Sequence, residues 1–426
     1  MAAAIKAEEA ARPLGLVTRV SPELGHAGAA AKPGGVFAGV PMLGKDLGSA
    51  AAGLATTAGS AALRRRLQDP ARDCDLFARF RAGGLVPFGL TAVPEFGLAL
   101  SSEPLDLPPA RNPWNPDLTP GGSSGGAAGA VAAGIVAIAH ATDAAGSIRV
   151  PAACCGLVGL KPSRGAMPGG PDFGNHLMGI ASELVLARSV RDVAAAYDLC
   201  AGADPTPRAL PDRPRIALCL SDRFGPAQQD ACRTAAEALA ALGCTILAVP
   251  PPDRLGQRSG AVARVILSVS LAEWLDGFSI TDAEISPLSA AIAAEGRATP
   301  SAALFAASRT LAQITYAAAG LFDAADVLLS PVLSGPPPPI GHFDMRGTDP
   351  AAHFARMETM APNAALANVA GCPALVLPFG QDAQGLPVGV QLMAPIGADR
   401  ALLSLGARLS ALAPARHFPG PIAGHP

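Results

Sequence analysis

Residues 121–151 read GGSSGGAAGAVAAGIVAIAHATDAAGSIRVP, which places an apolar run between two loops of small residues. The spacing predicts a tightly packed helix over residues 127–133 and a buried strand over residues 135–139. The loop ATDAAGSIR follows that strand. Small residues let a backbone approach another molecule closely, so both loops are candidate positions for a reactive serine.

The first loop, residues 121–126, has several possible interpretations. Both of its serines formally match G-x-S-x-G, the nucleophile elbow of α/β-hydrolases. That elbow needs a strand directly before the serine, and the three prolines within residues 112–120 argue against a central strand there. A phosphate-binding loop would continue into Gly-Lys-Ser/Thr, which does not follow. Taken alone, the segment fits a flexible Gly/Ser loop, so its interpretation depends on the other motifs of the chain.

Beyond this stretch, strands alternate with helices, which favours an α/β layer fold with a largely buried sheet. The predicted strands are residues 36–40 (running into a loop at 41–46), 85–90, 216–220, 245–249, 327–329, 374–377 and 388–392. The predicted helices are a short one within residues 1–35, residues 73–81, 189–200, 226–242 and 400–412, and two or three between residues 257 and 322. Residues 101–120 contain six prolines and are expected to be irregular.

Composition excludes several classes of protein. Of the 426 residues, 50% are hydrophobic and 15% are charged, and the formal net charge is −2. Disordered chains are poor in apolar residues, and nucleic-acid-binding domains are basic, so neither class fits. The N-terminal residues lack the long apolar core of a secretory signal, and the most apolar run is too short to span a bilayer. We therefore expect a cytoplasmic protein without nucleic-acid or membrane partners.

Cysteine and lysine usage is also informative. The eight cysteines are scattered through apolar segments without a C-x-x-C pair, which is typical of buried thiols in a reducing compartment. Only four of the 32 basic residues are lysines. Arginine stays protonated in proteins, whereas a buried lysine can lose its proton. The two lysines in motif-like surroundings, Lys45 and Lys161, therefore call for a chemical explanation.

A series of motifs in fixed order resembles the amidase signature family. They are GVPMLGKD at 39–46, PEF at 94–96, NPWN at 112–115, GGSSGG at 121–126, ATDAAGSIRVPA at 141–152, GLVGLKP at 156–162, FDAADVLLSP at 322–331, NVAGCPA at 368–374 and GLPVGVQ at 385–391. The resemblance covers residues 35–200 and 320–412, and leaves the region between them unmatched.

The resemblance implies a Ser-cisSer-Lys triad. Lys45 matches the catalytic lysine of the family, Ser147 its nucleophile, and Ser123 the bridging serine that sits on a cis peptide bond. The backbone N–H groups of the following residues would form the oxyanion hole for the substrate carbonyl: Ala144, Ala145, Gly146 and Ser147.

Three further residues are expected to support this site. Asp143 would order the loop by accepting backbone N–H groups, Arg149 would brace the same loop, and Ser124 would support Ser123. Lys161 resembles a structural lysine of the family.

Chemical reasoning agrees with these assignments. A serine hydroxyl is a weak nucleophile and needs a base beside it. A lysine amine must be neutral to accept a proton, and burial lowers a lysine pKa from about 10.4 by up to about 3–5 units. Ser123 would relay the proton from Ser147 to Lys45 and later return it to the leaving amine.

The nucleophile loop departs from the usual family run, Gly-Thr-Asp-Thr-Gly-Gly-Ser. Here Ala141, Ala144 and Ala145 stand at the first, fourth and fifth places. A positive φ at residue 145 would cost an alanine about 1–2 kcal/mol. A catalytically weakened amidase fold that only binds a ligand is therefore an alternative of another class.

The resemblance further implies one α/β domain over residues 1–426, with a mixed, mostly parallel sheet and helices on both faces. We divide it into a lead-in helix (1–35), a catalytic core (36–200), a variable substrate-pocket region (205–325) and C-terminal core strands with a helix (326–426). The implied activity is hydrolysis of a carboxamide C–N bond without metal or organic cofactor, by a monomer or homodimer.

The substrate remains open at this point. A primary carboxamide is the first choice, with aryl amides, carbamates and esters as alternatives, because a Ser/Lys site attacks any acyl group that its pocket admits. Segments typical of an aminoacyl-tRNA amidotransferase subunit are not recognisable. We expect residues 95–102 and 255–320 to line an apolar pocket, the latter through its aromatic residues Trp274, Phe278, Phe305 and Tyr316.

Overall fold

One sheet runs through the molecule and collects strands from almost the whole chain. The computed structural model describes residues 1–170, 176–202, 207–415 and 417–424. The strands found there are β1 Val17–Val20, β2 Pro41–Lys45, β3 Val86–Thr91, β4 Ile138–Asp143, β5 Val158–Lys161, β6 Ser182–Ala187, β7 Arg215–Cys219, β8 Thr245–Val249, β9 Val327–Pro331, β10 Ala374–Gln381 and β11 Pro387–Met393. Their order across the sheet is β1-β3-β2-β4-β6-β5-β10-β11-β9-β7-β8.

Helices flank this sheet and connect its strands. They are α1 Ala2–Ala11, α2 Pro22–Ala30, α3 Ala61–Arg66, α4 Asp75–Ala82, α5 Gly125–Ala132, α6 Arg149–Cys155, α7 Val190–Cys200, α8 Pro226–Ala241, α9 Asp253–Gly277, α10 Pro287–Ala298, α11 Ser301–Ala319, α12 Pro350–Met360, α13 Ala364–Ala370 and α14 Asp399–Ser410. Short 3₁₀ turns occur at Arg12–Leu14, Glu95–Gly97, His176–Gly179, Asp282–Glu284 and Gly320–Phe322. The predicted single α/β domain with a mixed, helix-flanked sheet is confirmed. The predicted boundary at residue 205 lies outside the described residues.

The predicted majority of parallel strand pairs is wrong. Among the described residues, four neighbouring pairs are parallel, β2–β3, β2–β4, β7–β8 and β7–β9, and six are antiparallel. Parallel pairing needs a long crossover, such as the one that α8 supplies between β7 and β8. β10 and β11 are instead joined by a tight turn, in which Asp382 accepts the N–H groups of Gln384 and Leu386, so they form a hairpin.

Two predicted strands are displaced, and both displacements concern the site. Residues 36–40 form turns, with Val36 66% exposed and Gly39 at φ 82°, and the strand runs instead over Pro41–Lys45. The strand predicted at 135–139 is Ile138–Asp143, because the turn after α5 extends through Gly134 at φ 82°. Residues 141–143, which were predicted to begin a loop, thus form the buried end of β4.

The N-terminal segment contains more structure than the single helix predicted for residues 1–35. α1 and α2 are separated by β1, which forms the edge of the sheet, antiparallel to β3. β1 is short and only partly buried, so its apolar pattern is weak. The helix predicted over residues 189–200 is present, and Ser189 caps it by accepting the N–H of Asp192.

All eight cysteines are buried free thiols, as their apolar surroundings predicted. In the described part of the chain, none of the helices has the length and apolar character needed to cross a membrane.

Candidate active site

Lys45 is the last residue of β2 and lies between β3 and β4, with no solvent exposure. Its Nζ lies 2.8 Å from Ser123 Oγ, 2.7 Å from Thr142 Oγ1 and 3.5 Å from the Thr142 carbonyl oxygen. The structure therefore brings two of the three predicted catalytic side chains into direct hydrogen-bond contact.

The buried position changes the acid–base behaviour of this lysine. Burial lowers the pKa of Lys45 to about 7, although the negative charges of Asp143 and Glu183 oppose that shift. Desolvation disfavours the ammonium form because the charge loses its hydration. Near neutral pH, a large fraction of Lys45 is thus a neutral amine that can accept a proton.

Ser123 lies in a tightly packed loop that precedes α5, and the Gly122–Ser123 peptide bond is cis. A side chain at position 122 would overlap the backbone of Ser101, so that position requires glycine. Ser124 donates a hydrogen bond to the Thr142 carbonyl oxygen at 3.2 Å, which ties the loop to the end of β4. The segment that leads into Ser123 is irregular, so the nucleophile-elbow interpretation is wrong.

Ser147 lies in the loop between β4 and α6 and is 7% exposed. The Asp143 carboxylate orders that loop, because it accepts the N–H groups of Gly146 at 2.7 Å and Ile148 at 3.1 Å, on either side of the serine. Within the described residues, Ser147 Oγ has no hydrogen bond to Ser123 or Lys45.

The same loop revises the predicted oxyanion donors. The Gly146 N–H points to Asp143, so it is not available to a substrate, and three of the four predicted donors remain. Gly146 carries the positive φ of the loop, at 117°, whereas Ala145 does not have a positive φ. The expected backbone penalty for alanine at 145 is therefore absent. Ala144 and Ala145 are both partly exposed.

Asp143 is itself held by a buried network. Arg149 is 1% exposed and its Nε donates to Asp143 at 2.9 Å, while its other nitrogens donate to Asn368 at 2.6 Å and Gln391 at 2.9 Å. The Asn368 amide also donates to Asp143 at 3.0 Å. Burial alone would raise the pKa of Asp143, but the charge and hydrogen bonds of Arg149 hold it well below its ordinary value. Arg149 thus holds the carboxylate that orders the loop.

We expect Arg149→Met to lower the free energy of unfolding by about 3–5 kcal/mol, because it leaves the Asp143 charge buried and uncompensated. Urea denaturation measures this loss. The matched control is Arg297→Met, since Arg297 pairs with Asp276 and Asp282 on the surface, where an ion pair contributes at most about 1 kcal/mol. Equal losses in both variants would contradict the assigned role of Arg149.

Sequence reasoning missed two residues of the site, Thr142 and Asn368. Thr142 was placed in a loop, yet its hydroxyl is 2.7 Å from Lys45 Nζ. Asn368 begins the motif NVAGCPA, which supported the resemblance without a role for any of its members. A buried amide that bonds both Asp143 and Arg149 explains why an asparagine stands there.

Lys161 donates a hydrogen bond to the Pro162 carbonyl oxygen. It has no hydrogen bond to Ser123, Ser124 or Ser147 among the described residues, which agrees with a structural role.

Of the four aromatic residues predicted to line the pocket, Trp274 and Phe278 pack together beside Phe96. Phe96 and Trp274 pack edge to face at 5.6 Å, and Phe278 lies 6.2 Å from Trp274. Phe305 and Tyr316 are instead 68% and 86% exposed, so their prediction as lining of a buried pocket is wrong. Both project from α11, whose other face carries its buried residues, Ala307, Ile314 and Ala318.

A cleft is lined by residues of β7, β9, β11 and α13. It is lined mainly by apolar side chains, with the polar groups Ser330, Asn363 and Gln391 among them. Gln391 is the residue that accepts from Arg149, and a side chain at Gly146 would touch Ala364, which follows Asn363 in the chain. The cleft is thus linked to the Ser147 loop through Gln391 and Arg149, while Lys45, Ser123 and Ser147 are not among the residues that line it.

Comparison with known proteins agrees with this arrangement. The family model described as Amidase matches residues 17–403. The chain belongs to the amidase family. This amidase is therefore a hydrolase of C–N bonds other than peptide bonds, as its relatives are.

Similar proteins extend over nearly the whole amidase chain. A 6-aminohexanoate-cyclic-dimer hydrolase of Paenarthrobacter ureafaciens is 32% identical over 416 residues, covering 89% of this chain and 84% of the relative. The putative amidase AmiC of Mycobacterium leprae is 34% identical, with the same coverages. A solved structure of 6-aminohexanoate cyclic dimer hydrolase superposes with a TM-score of 0.90 at 31% identity, over 97% of this amidase and 93% of that chain.

Proposed function

We propose that this amidase hydrolyses amides through an acyl-enzyme on Ser147, with Ser123 as proton relay and Lys45 as general base. The observation that carries the proposal is the buried contact of 2.8 Å between Lys45 Nζ and Ser123 Oγ. A lysine with a pKa near 7 is suited to accept a proton at neutral pH, because a general base works best when its pKa is close to the working pH.

The proposed acylation step balances without a further reactant. As Ser147 Oγ attacks the carbonyl carbon, its proton passes to Ser123 Oγ, and the proton of Ser123 passes to Lys45 Nζ. The N–H groups of Ala144, Ala145 and Ser147 hold the oxyanion, and each such donor lowers the barrier by about 3–4 kcal/mol. The C–N bond then breaks as Ser123 protonates the leaving amine and recovers its proton from Lys45.

Deacylation repeats this sequence with water as the nucleophile. Lys45 accepts the proton of the water through Ser123, and the oxygen of the water forms a bond to the acyl carbon. The acyl–oxygen bond to Ser147 then breaks, the acid is released, and Ser147 recovers the proton from Lys45 through Ser123. No metal or organic cofactor takes part in the proposed steps.

For the substrate, we propose an amide with an aliphatic acyl chain. The cleft lined by β7, β9, β11 and α13 has mainly apolar side chains and only neutral polar groups, which suits an uncharged aliphatic chain better than a carboxylate or an ammonium group. The 6-aminohexanoate-cyclic-dimer hydrolases among the relatives point in the same direction.

The proposal is tested by turnover of a panel made of the cyclic dimer of 6-aminohexanoate, short primary carboxamides, aryl amides, carbamates and esters. We expect hydrolysis of an aliphatic amide to exceed that of the aryl amides and carbamates. Hydrolysis of the esters alone would assign another acyl substrate to the same residues. No turnover on any member, with binding of an amide retained, would favour the ligand-binding alternative.

The pH dependence follows from the state of Lys45. Only the neutral amine accepts a proton, so kcat/KM is expected to rise with pH through a midpoint near 7. Below that midpoint, the fall is about tenfold per pH unit, as for a single ionisation. Initial rates at low substrate concentration across this range measure the midpoint. A profile that is flat from about pH 5 to about pH 8 would contradict the assignment of Lys45 as base.

A further inference from the structure

A buried imidazole and a buried carboxylate lie beside Lys45 and take no part in the proposed reaction. His140 is on β4, next to β2, and Glu183 is on β6, on the other side of β4. His140 is fully buried and Glu183 is 2% exposed. Burying a charged group lowers stability unless partners compensate it, so a carboxylate retained at this position calls for a role.

His140 holds the backbone of the lysine directly. The Lys45 N–H donates to His140 Nδ1 at 3.2 Å. The β2–β4 ladder pairs Met42 with Ile138 and Leu43 with Ala139. Beyond these pairs, the Lys45 N–H is bonded to the His140 side chain in place of a main-chain carbonyl oxygen. Because Nδ1 accepts this bond, a neutral ring carries its proton on Nε2.

Glu183 lies against the opposite edge of the imidazole. Its Oε1 is 3.2 Å from His140 Nε2, off the line that a hydrogen bond needs. The carboxylate also accepts the N–H of Ser49 at 2.9 Å and the Ser49 hydroxyl. Burial alone would raise the pKa of Glu183, but His140 and Ser49 hold it below its ordinary value, so the group is an anion.

The surroundings give this anion a strong influence. The rings of Phe77 and Phe80 lie 5.1 and 6.3 Å from the His140 ring and exclude water from it. Charges interact more strongly in such a medium than in water. Within the described ranges, no arginine or lysine pairs with Glu183, whose contact is with the His140 ring.

Two other carboxylates and two hydroxyls lie around Lys45. Asp143 faces it from the end of β4, but Arg149 pairs with that carboxylate. Asp46, which follows Lys45 in the chain, accepts the N–H and hydroxyl of Thr57. Burial raises the pKa of Asp46 to about 6, so it is largely ionised at pH 7 but turned toward that threonine. The hydroxyls in contact with Nζ carry no charge. Asp143 and Glu183 are thus the two anions that oppose the effect of burial on the Lys45 pKa, and of these two Asp143 is the one paired with an arginine.

We propose that His140 and Glu183 form a positioning pair for Lys45: His140 fixes the backbone of the base, and Glu183 supplies the buried charge that sets how tightly Nζ holds its proton. The proposal rests on the role of Lys45 as base in the proposed function. Neither residue touches the reacting atoms, so both act through the lysine.

The test compares the pH dependence of kcat/KM in the wild type, Glu183→Gln and Ser49→Ala. Removing the anion favours the neutral amine, so Glu183→Gln is expected to move the midpoint of the acid limb down by about one pH unit. Ser49→Ala keeps the carboxylate and is expected to keep the midpoint. A residue that merely supports the fold would lower kcat/KM equally at every pH, and an unmoved midpoint in Glu183→Gln would overturn the proposal.

His140 supplies a second test, which decides the matter if Glu183→Gln does not fold. An asparagine oxygen can accept the Lys45 N–H, whereas alanine has no acceptor. We expect His140→Ala to lose about 10- to 100-fold in kcat/KM and His140→Asn to recover most of it. Equal losses in the two variants would overturn the positioning role. Lys45→Met separates the role of Lys45 as base from the role of the His140–Glu183 pair. If Lys45→Met retains activity, the proposed function fails. If Lys45→Met is inactive and the midpoint does not move in Glu183→Gln, only the positioning pair is refuted.

Discussion

Replacing Ser147 by alanine is expected to lower kcat/KM toward any accepted amide by about 10⁴- to 10⁶-fold, which is the loss typical of a removed serine nucleophile. The reason is that no other group can form the acyl-enzyme at the end of the loop that Asp143 orders. Folding should be unchanged, because Ser147 Oγ makes no hydrogen bond to Ser123 or Lys45 within the described residues. Initial rates with the best amide of the panel measure the effect.

The matched control is Ser60→Ala. Ser60 is also a buried serine, and its hydroxyl has no hydrogen-bond partner in the described part of the chain. Its replacement is expected to leave kcat/KM within about twofold of the wild type, because the hydroxyl has no hydrogen bond to lose. Full activity in Ser147→Ala would refute the nucleophile assignment, and equal losses in the two variants would indicate a general effect on folding.

Lys45→Met is expected to lower kcat/KM at pH 7 by about 10²- to 10⁴-fold, which is the usual contribution of general acid–base catalysis. Methionine nearly fills the volume of the lysine side chain but cannot accept a proton. The acid limb of the pH profile should also disappear, because the group that titrates near 7 has been removed. Rates as a function of pH measure both effects.

Lys161→Met provides the control for Lys45. Lys161 is also fully buried, and burial lowers its pKa to about 8, but its Nζ donates to the Pro162 carbonyl oxygen and reaches no site serine. We expect it to lose stability, because the carbonyl group loses its donor, while the acid limb stays near pH 7. An acid limb that moves in Lys161→Met and stays in Lys45→Met would reverse the two assignments.

The sequence motifs indicated Lys45, Ser123 and Asp143 because each stands in a loop or strand end with few allowed residue types. Position 122 admits only glycine against Ser101, and a buried Asp143 requires Arg149 nearby. Such requirements leave a local signature in the sequence.

Other features depend on contacts between distant segments, which a linear pattern does not contain. The engagement of the Gly146 N–H by Asp143 depends on how the loop turns. Phe305 was predicted in the pocket because aromatic residues favour one, but the side of α11 that faces inward is decided by the helices packed against it. Strand direction was misjudged for a similar reason, since β5 and β10 pair across more than 200 residues of chain.

The most direct test of the account is the pH dependence of Ser147 labelling by a small fluorophosphonate, followed by intact mass and peptide mapping. We expect a single adduct on Ser147, formed in the wild type at a rate that rises with pH through a midpoint near 7, and formed much more slowly in Lys45→Met. An adduct on another residue, or a rate on Ser147 that is the same in Lys45→Met, would contradict the activation of this serine by Lys45.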